Sequence, residues 1–303
     1  MKLGIQKKGV LYALSASLIW SIVNPFIKQG LSYGMPAISF AGLRFSIVGI
    51  ILLIYTCRKG LWYQVRDNKK LFAMLVLLNI FLGYAFFYWG VDLVPSATSS
   101  IVMGLVPLIN VLMAHFLANN DRIDRHKIIS MSISLIGLIL VLDIGGSQAL
   151  DWKGYLGILC LLLCILSQGY ASILVVDSGV KLNSVFMNGV QMFFGGAMLY
   201  AVGSGVHGHF NFAILPAMFY VCLITLVCVS LFAYNLWFMA LQAGDTKVSE
   251  INICRLVAPA IGAILSWIMI PDEEPTFKVV TGMIILLGSM VYFFRGPQRK
   301  KCM

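Results

Sequence analysis

Long apolar runs separated by short polar connections constrain this chain more than any motif does. Runs long enough to cross about 30 Å of hydrocarbon fall at residues 9–28, 36–57, 71–90, 96–118 and 127–144. Five more follow at 154–175, 184–204, 213–240, 247–270 and 278–295. In lipid such a run must satisfy its own backbone polar groups, which makes each one a helix. Only 11% of the 303 residues are charged and 60% are hydrophobic, whereas soluble domains carry about 25% charge. The spacing predicts an all-α membrane protein with about ten transmembrane helices and no separate soluble domain. The first run follows Lys7 and Lys8 like a signal peptide, but no convincing small-x-small cleavage site follows and further apolar runs come after it, so it reads as a retained span.

Charge sets the orientation. With the N-terminus inside, the inner segments collect most of the basic residues, among them Lys7, Lys8, Arg58, Lys59, Arg66, Lys69, Lys70, Arg125 and Lys181. The outer side keeps only Lys28, Lys153 and Lys278. This asymmetry predicts a multi-pass protein of the cell membrane with both termini cytoplasmic. It also accounts for the formal net charge of +10 without a nucleic-acid partner.

The halves repeat. Residues 84–92 read YAFFYWGVD and residues 234–242 read YNLWFMALQ; Pro107 then corresponds to Pro259, and Asp121 to Glu273. Phe45 and Gly49, after Arg44, match Met192 and Gly196, after Gln191. A five-helix unit over 1–145 and a second over 146–303 follow. Because five is odd, the second copy enters from the opposite face, giving two inverted repeats around a central cavity.

Several positions together carry a family resemblance: Trp20-Ser21 with Pro25 and Lys28 in the first span, Arg44 in the second, then Pro107 and Pro259, each followed fourteen positions on by an acid. With these features the chain resembles the EamA-type transporters of the drug/metabolite transporter superfamily over nearly its whole length. The resemblance implies a ten-helix carrier of amino acids, nucleotide-related compounds or other metabolites, often an exporter. The chain departs from the family at Asn119–Asp121, where a glycine and a glutamate are usual.

The polar stretch KVSEINICRLVAP, residues 247–259, tests where a solute path runs. Glu250 and Arg255 invite pairing as an intramembrane ion pair. On an ideal helix they lie about 140° apart, so they do not face each other. Asn252, Arg255 and Pro259 share one face with Gly262, and Glu250 is expected at the cytoplasmic edge, near the positive end of the helix dipole. In the fourth span Ser100, Met103 and Pro107 form the matching stripe. Pro107 and Pro259 are therefore expected as hinges, and Ser100, Met103, Asn252 and Arg255 as solute contacts.

Other candidates come from the first three spans and the eighth. Trp20 and Asn24 lie on a polar stripe of the first span, whose Lys28 sits shallow enough to snorkel. Arg44 lies too deep for that and needs carbonyls, a carboxylate or an anionic ligand. Asn79, Tyr84 and Tyr88 in the third span, with Tyr234 and Trp237 in the eighth, suit a mostly apolar pocket with a few polar groups. Gln168 and Gln191 read more simply as interhelical hydrogen-bond formers.

Several chemistries are disfavoured. No G-x-x-x-x-G-K-[ST] run and no H-E-x-x-H motif occurs, and His207 with His209 supplies only two metal ligands. Seven cysteines without a C-x-x-C pair lie mostly inside apolar runs, where they act as small hydrophobes. No catalytic activity, cofactor or metal is expected. The expected partners are a small-molecule solute and the lipid bilayer, with the oligomeric state open. Two intramembrane arginines lean the expected solute toward a carboxylate or phosphate bearer, amino acids included. Efflux of hydrophobic cations and a non-transporting scaffold are the alternatives.

Overall fold

The computed structural model describes residues 7–94, 99, 102–117, 125–141, 152–208, 215–246, 248–258, 261–262, 264–265 and 277–295. Within them every regular element is helical. Six helical segments are long and apolar enough to cross a membrane: Lys8–Leu31, Ala37–Lys59, Lys69–Leu93, Trp152–Asp177, Ser184–Val206 and Ala217–Gln242. The other four expected runs also carry helices, at Val106–Leu117, Arg125–Val141, Val248–Ile253 and Phe277–Arg295, but parts of them lie outside the described residues.

The first span is broken. Helix α1 (Lys8–Trp20) ends in a turn at Ser21–Ile22, and α2 (Val23–Leu31) resumes the path. The cause is Pro25, which has no N–H for the carbonyl four residues earlier and whose ring crowds it. That carbonyl belongs to Ser21. A Cβ placed on Gly262 would come within 3.3 Å of it.

Helix α3 (Ala37–Thr56) forms the second span, and the short α4 (Trp62–Asp67) lies in the connection after it. The third span is continuous but not uniform. Helix α5 (Lys69–Met74) passes into a π-helical segment, Leu75–Leu82, before α6 (Gly83–Leu93). π segments loosen the i→i−4 ladder and leave carbonyls seeking other donors. Here Ser167 Oγ donates to the Leu78 carbonyl at 2.6 Å, and Gln168 Nε2 to that of Asn79 at 3.4 Å.

Next come α7 (Val106–Leu117) and α8 (Arg125–Val141), then the second half: α9 (Trp152–Asp177), α10 (Ser184–His207) and α11 (Ala217–Gln242). A turn at Gly104–Leu105 precedes α7, so Pro107 stands in the first turn of a helix rather than inside one. Proline is tolerated there because its missing N–H would be unpaired anyway; the break expected at Pro107 falls just before it. Helix α12 (Val248–Ile253) tightens into a 3₁₀ turn at Cys254–Leu256, and α13 (Phe277–Arg295) follows. Pro259 lies outside the described residues.

Helices pack across the two halves. The most extensive contact joins α3 to α10, followed by α8 with α13, α6 with α9 and α1 with α11. Glycines set the α3–α10 distance. A Cβ on Gly42 or Gly49 would strike the backbone of Tyr200 or Phe193, and one on Gly196 would strike that of Ser46. Without a hydrophobic drive between helices in lipid, such backbone approach supplies the van der Waals contact that holds them. Large apolar side chains such as Tyr55, Phe116, Ile224 and Ile284 point outward instead, each more than 60% exposed. That is the reverse of a soluble fold and what a lipid-facing surface requires. The chain is a multi-pass membrane protein.

Candidate functional site: a central cavity

The break between α1 and α2 opens onto a cavity at the middle of the bundle. Trp20, Ser21, Val23 and Asn24 form one wall, and Arg44 of α3 with Tyr84 and Phe87 of α6 form another. Met103, Gln168 of α9, and Arg255, Ala258 and Gly262 of the ninth span complete it. The empty space is about 790 Å³, counting the part that opens outward.

Two arginines border this space in different ways. Arg44 is 1% exposed and tethered. Its Nε donates to the Leu226 carbonyl at 3.1 Å and to Ser230 Oγ at 2.9 Å, and its Nη1 to the Tyr88 hydroxyl at 3.2 Å. Arg255 is held by rings. Its Cζ lies 4.8 Å from the Trp20 ring centroid and 4.9 Å from that of Trp237. An indole face attracts a guanidinium without neutralising it, by about 0.5–2 kcal/mol. Neither arginine forms an ion pair with a carboxylate among the described residues.

An aromatic cluster backs the arginines. Trp20 meets Tyr234 edge-on at 5.3 Å and Trp237 at 5.4 Å between centroids. The Tyr84 and Tyr234 hydroxyls hydrogen-bond to each other across the two halves. Tyr234 and Trp237, at 4% and 3% exposed, therefore stand behind Trp20 and Tyr84 and do not line the cavity.

Of the residues expected to contact a solute, Trp20, Asn24, Arg44, Tyr84, Met103 and Arg255 line the cavity. Three are drawn elsewhere. Tyr88 is fully buried on Arg44. Asn79 donates to Gln191 Oε1 at 2.9 Å, in a buried chain that runs on through Asn188 to Asn235. Asn252 Oδ1 accepts from Asn110 Nδ2 at 2.7 Å, joining α12 to α7. A deep amide must find a partner, and for Asn79 and Asn252 it is another amide on a neighbouring helix. Ser100 lies outside the described residues.

Six lining residues were not expected to touch a solute: Ser21, Val23, Phe87, Gln168, Ala258 and Gly262. Phe87 follows Tyr84 by one helical turn, so the same-face spacing already pointed to it. Gln168 reaches the cavity because it packs beside the π segment of the third span, for which no local signal exists. Lys28, conversely, is not among the residues that line the cavity. Its Nζ donates to the carbonyls of Val91 at 2.9 Å and Val94 at 3.1 Å, capping the C-terminal end of α6.

Glu250 pairs with Lys7, whose Nζ lies 3.0 Å from Oε2, and not with Arg255.

Comparison with known proteins agrees with this architecture. The model of the EamA-like transporter family matches twice in succession, over residues 7–143 and 155–295. An uncharacterized transporter of Bacillus subtilis, YoaV, is 25% identical over 97% of this chain and 99% of its own. An S-adenosylmethionine uptake transporter of Rickettsia bellii is 21% identical over 93% of this chain and 92% of its own. One solved crystal structure superposes with a TM-score of 0.75 at 16% identity, covering 95% of this chain and 97% of that one, which speaks for the fold alone. Matched twice over nearly its whole length, the chain belongs to the EamA-like transporter family.

Proposed function

We propose that this transporter is a secondary carrier for small organic solutes bearing a carboxylate, amino acids among them. The supporting observation is Arg255: a guanidinium on the cavity wall, flanked by Trp20 and Trp237 and without a carboxylate partner among the described residues. A permanent cation away from water needs a counter-charge, and a solute carboxylate supplies one. Val23, Phe87 and Met103 would hold the solute's apolar part.

The two halves are read as inverted repeats in the cytoplasmic membrane, both termini inside, rocking about the cavity in alternating access. Pairing of corresponding spans, α3 with α10 and α8 with α13, supports that reading, as does the double family match. A carrier for hydrophobic cations would need an acid on the wall. Among the described lining residues the charged side chains are the two arginines.

The test is a thermal-shift screen of the purified protein, since a ligand stabilises the state it binds. Amino acids and other carboxylates should raise the melting temperature of the wild type, and Arg255→Ala should remove the shift. Hits should then be carried by the reconstituted protein. Stabilisation by hydrophobic cations alone, retained in Arg255→Ala, would overturn the reading.

A further inference from the structure

Four contacts join Lys7, Lys8 and Gly9, at the start of α1, to Asp245, Thr246 and Glu250, at the entry to the ninth span. Lys7 Nζ bridges both carboxylate oxygens of Glu250, at 3.1 and 3.0 Å. Asp245 Oδ2 accepts from the Lys8 amide at 2.9 Å, and Oδ1 from the Gly9 amide at 3.3 Å. Gly9 packs directly on Thr246, so that a Cβ at Gly9 would collide with its side chain. The opening amides of a helix lack partners within it, and a side chain from the distal half of the chain supplies them here.

The same two elements meet again deeper in the bundle. Helix α1 ends at Trp20, about 20 Å along its axis from Lys8, and α12 leads through Cys254 to Arg255. Trp20 and Arg255 are in contact. Between the two levels lies Cys254, 0% exposed, its thiol donating to the Glu250 carbonyl at 3.2 Å. Helix α1 and the ninth span, which both contribute to the cavity wall, are thus clasped at one end and in contact at the cavity.

We propose that Lys7, Glu250 and Asp245 form a gate that holds the cavity closed at the end where the chain begins. The inference rests on the alternating-access reading above. Opening requires α1 and the ninth span to separate, which breaks the Lys7–Glu250 pair, frees the Lys8 and Gly9 amides and draws Trp20 off Arg255. A clasp at the rim and a solute-binding arginine on one short element couple rim opening to occupancy of the cavity. Such closures are carried by a few residues far from the binding centre.

Cys254 is a native reporter, and its labelling needs no knowledge of the solute. Membrane vesicles of both orientations carrying the full chain are treated with a membrane-impermeant maleimide, and modification of the Cys254 peptide is measured by mass spectrometry. Lys7→Gln and Glu250→Gln should each raise the Cys254 rate several-fold from the face bearing the N-terminus, with little change from the other face. The exchange Lys7→Glu with Glu250→Lys should bring the rate back toward wild type. Unchanged labelling in both single variants overturns the gate. So does an equal rise from both faces with a lowered melting temperature, which marks general loosening. A gate that opens as described in a protein that binds no carboxylate would leave this inference standing and remove only the solute assignment.

Discussion

Tyr84 and Tyr234, 150 residues apart, share a hydrogen bond between their hydroxyls at the back of the cavity. Each residue is buried, at 9% and 4% exposed, so each hydroxyl depends largely on the other for a partner. Tyr84→Phe or Tyr234→Phe strands the other hydroxyl, at a cost of about 1–3 kcal/mol. The double variant strands none. Its melting temperature in detergent should therefore lie above that expected from adding the two single effects; strict additivity would mean the pair does not act as a unit.

Arg255 is held by two ring faces, which sets the expected difference between its substitutions. Arg255→Ala should abolish solute-induced stabilisation. Arg255→Lys keeps the charge but loses the planar group that lies over the Trp20 and Trp237 rings, and should weaken binding by roughly tenfold, about 1.4 kcal/mol. Titrating the identified solute against the three proteins by thermal shift checks the order.

Asn252 should behave differently from Arg255. Its carbonyl receives the Asn110 amide at 2.7 Å, so Asn252→Ala leaves a buried donor unpaired, costing about 1–3 kcal/mol. The expected result is a lower melting temperature with near-normal solute affinity. A binding defect without loss of stability would return Asn252 to the solute path.

The α3–α10 seam should tolerate no side chain at Gly49 or Gly196. A Cβ at either position meets the backbone of Phe193 or Ser46, and forcing the helices apart typically costs about 1–3 kcal/mol or more. Gly49→Leu and Gly196→Leu should sharply reduce the yield of folded protein in size-exclusion profiles, whereas Gly205→Leu, with open space around its Cβ position, should not.

Asp245 gives the gate region a pH dependence. Partial burial pushes its carboxyl up, but bonds from the Thr246 hydroxyl and the Gly9 and Lys8 amides outweigh this and hold it below the ordinary range. A lowered folded-state pKa means the tie is fully present above the unfolded value, about 3.9, and is lost as pH falls through the folded value. Hydrogen exchange at the Lys8 and Gly9 amides, corrected for intrinsic rates, should lose protection only in that acid window. Asp245→Asn should show reduced protection already at neutral pH.

Much of the membrane architecture was legible locally. Apolar runs of spanning length located the six long helices. Helical spacing also separated Glu250 from Arg255 before any coordinates did. The site was legible only by residue type. Arg44, Trp20, Asn24, Tyr84, Met103 and Arg255 reach the cavity, but Asn79, Tyr88 and Asn252, equally polar and equally deep, do not. Leu75–Leu82 reads as ordinary α-helix, and its widening is matched by donors from Ser167 and Gln168 on a distant helix.

The sequence by itself determined that this chain crosses the membrane repeatedly as helices, because backbone polar groups in lipid can be satisfied within a helix. It also placed Arg44 and Arg255 inside apolar runs rather than in the connections. Only the tertiary structure decided what each buried polar group faces. Gln191 rather than a solute takes the Asn79 amide, Lys7 rather than Arg255 takes the Glu250 carboxylate, and two indole rings leave Arg255 charged at the cavity. Asn79 and Gln191 lie 112 residues apart, and Lys7 and Glu250 lie 243 apart. Their choice depends on which helices pack side by side, and local propensity carries no record of that.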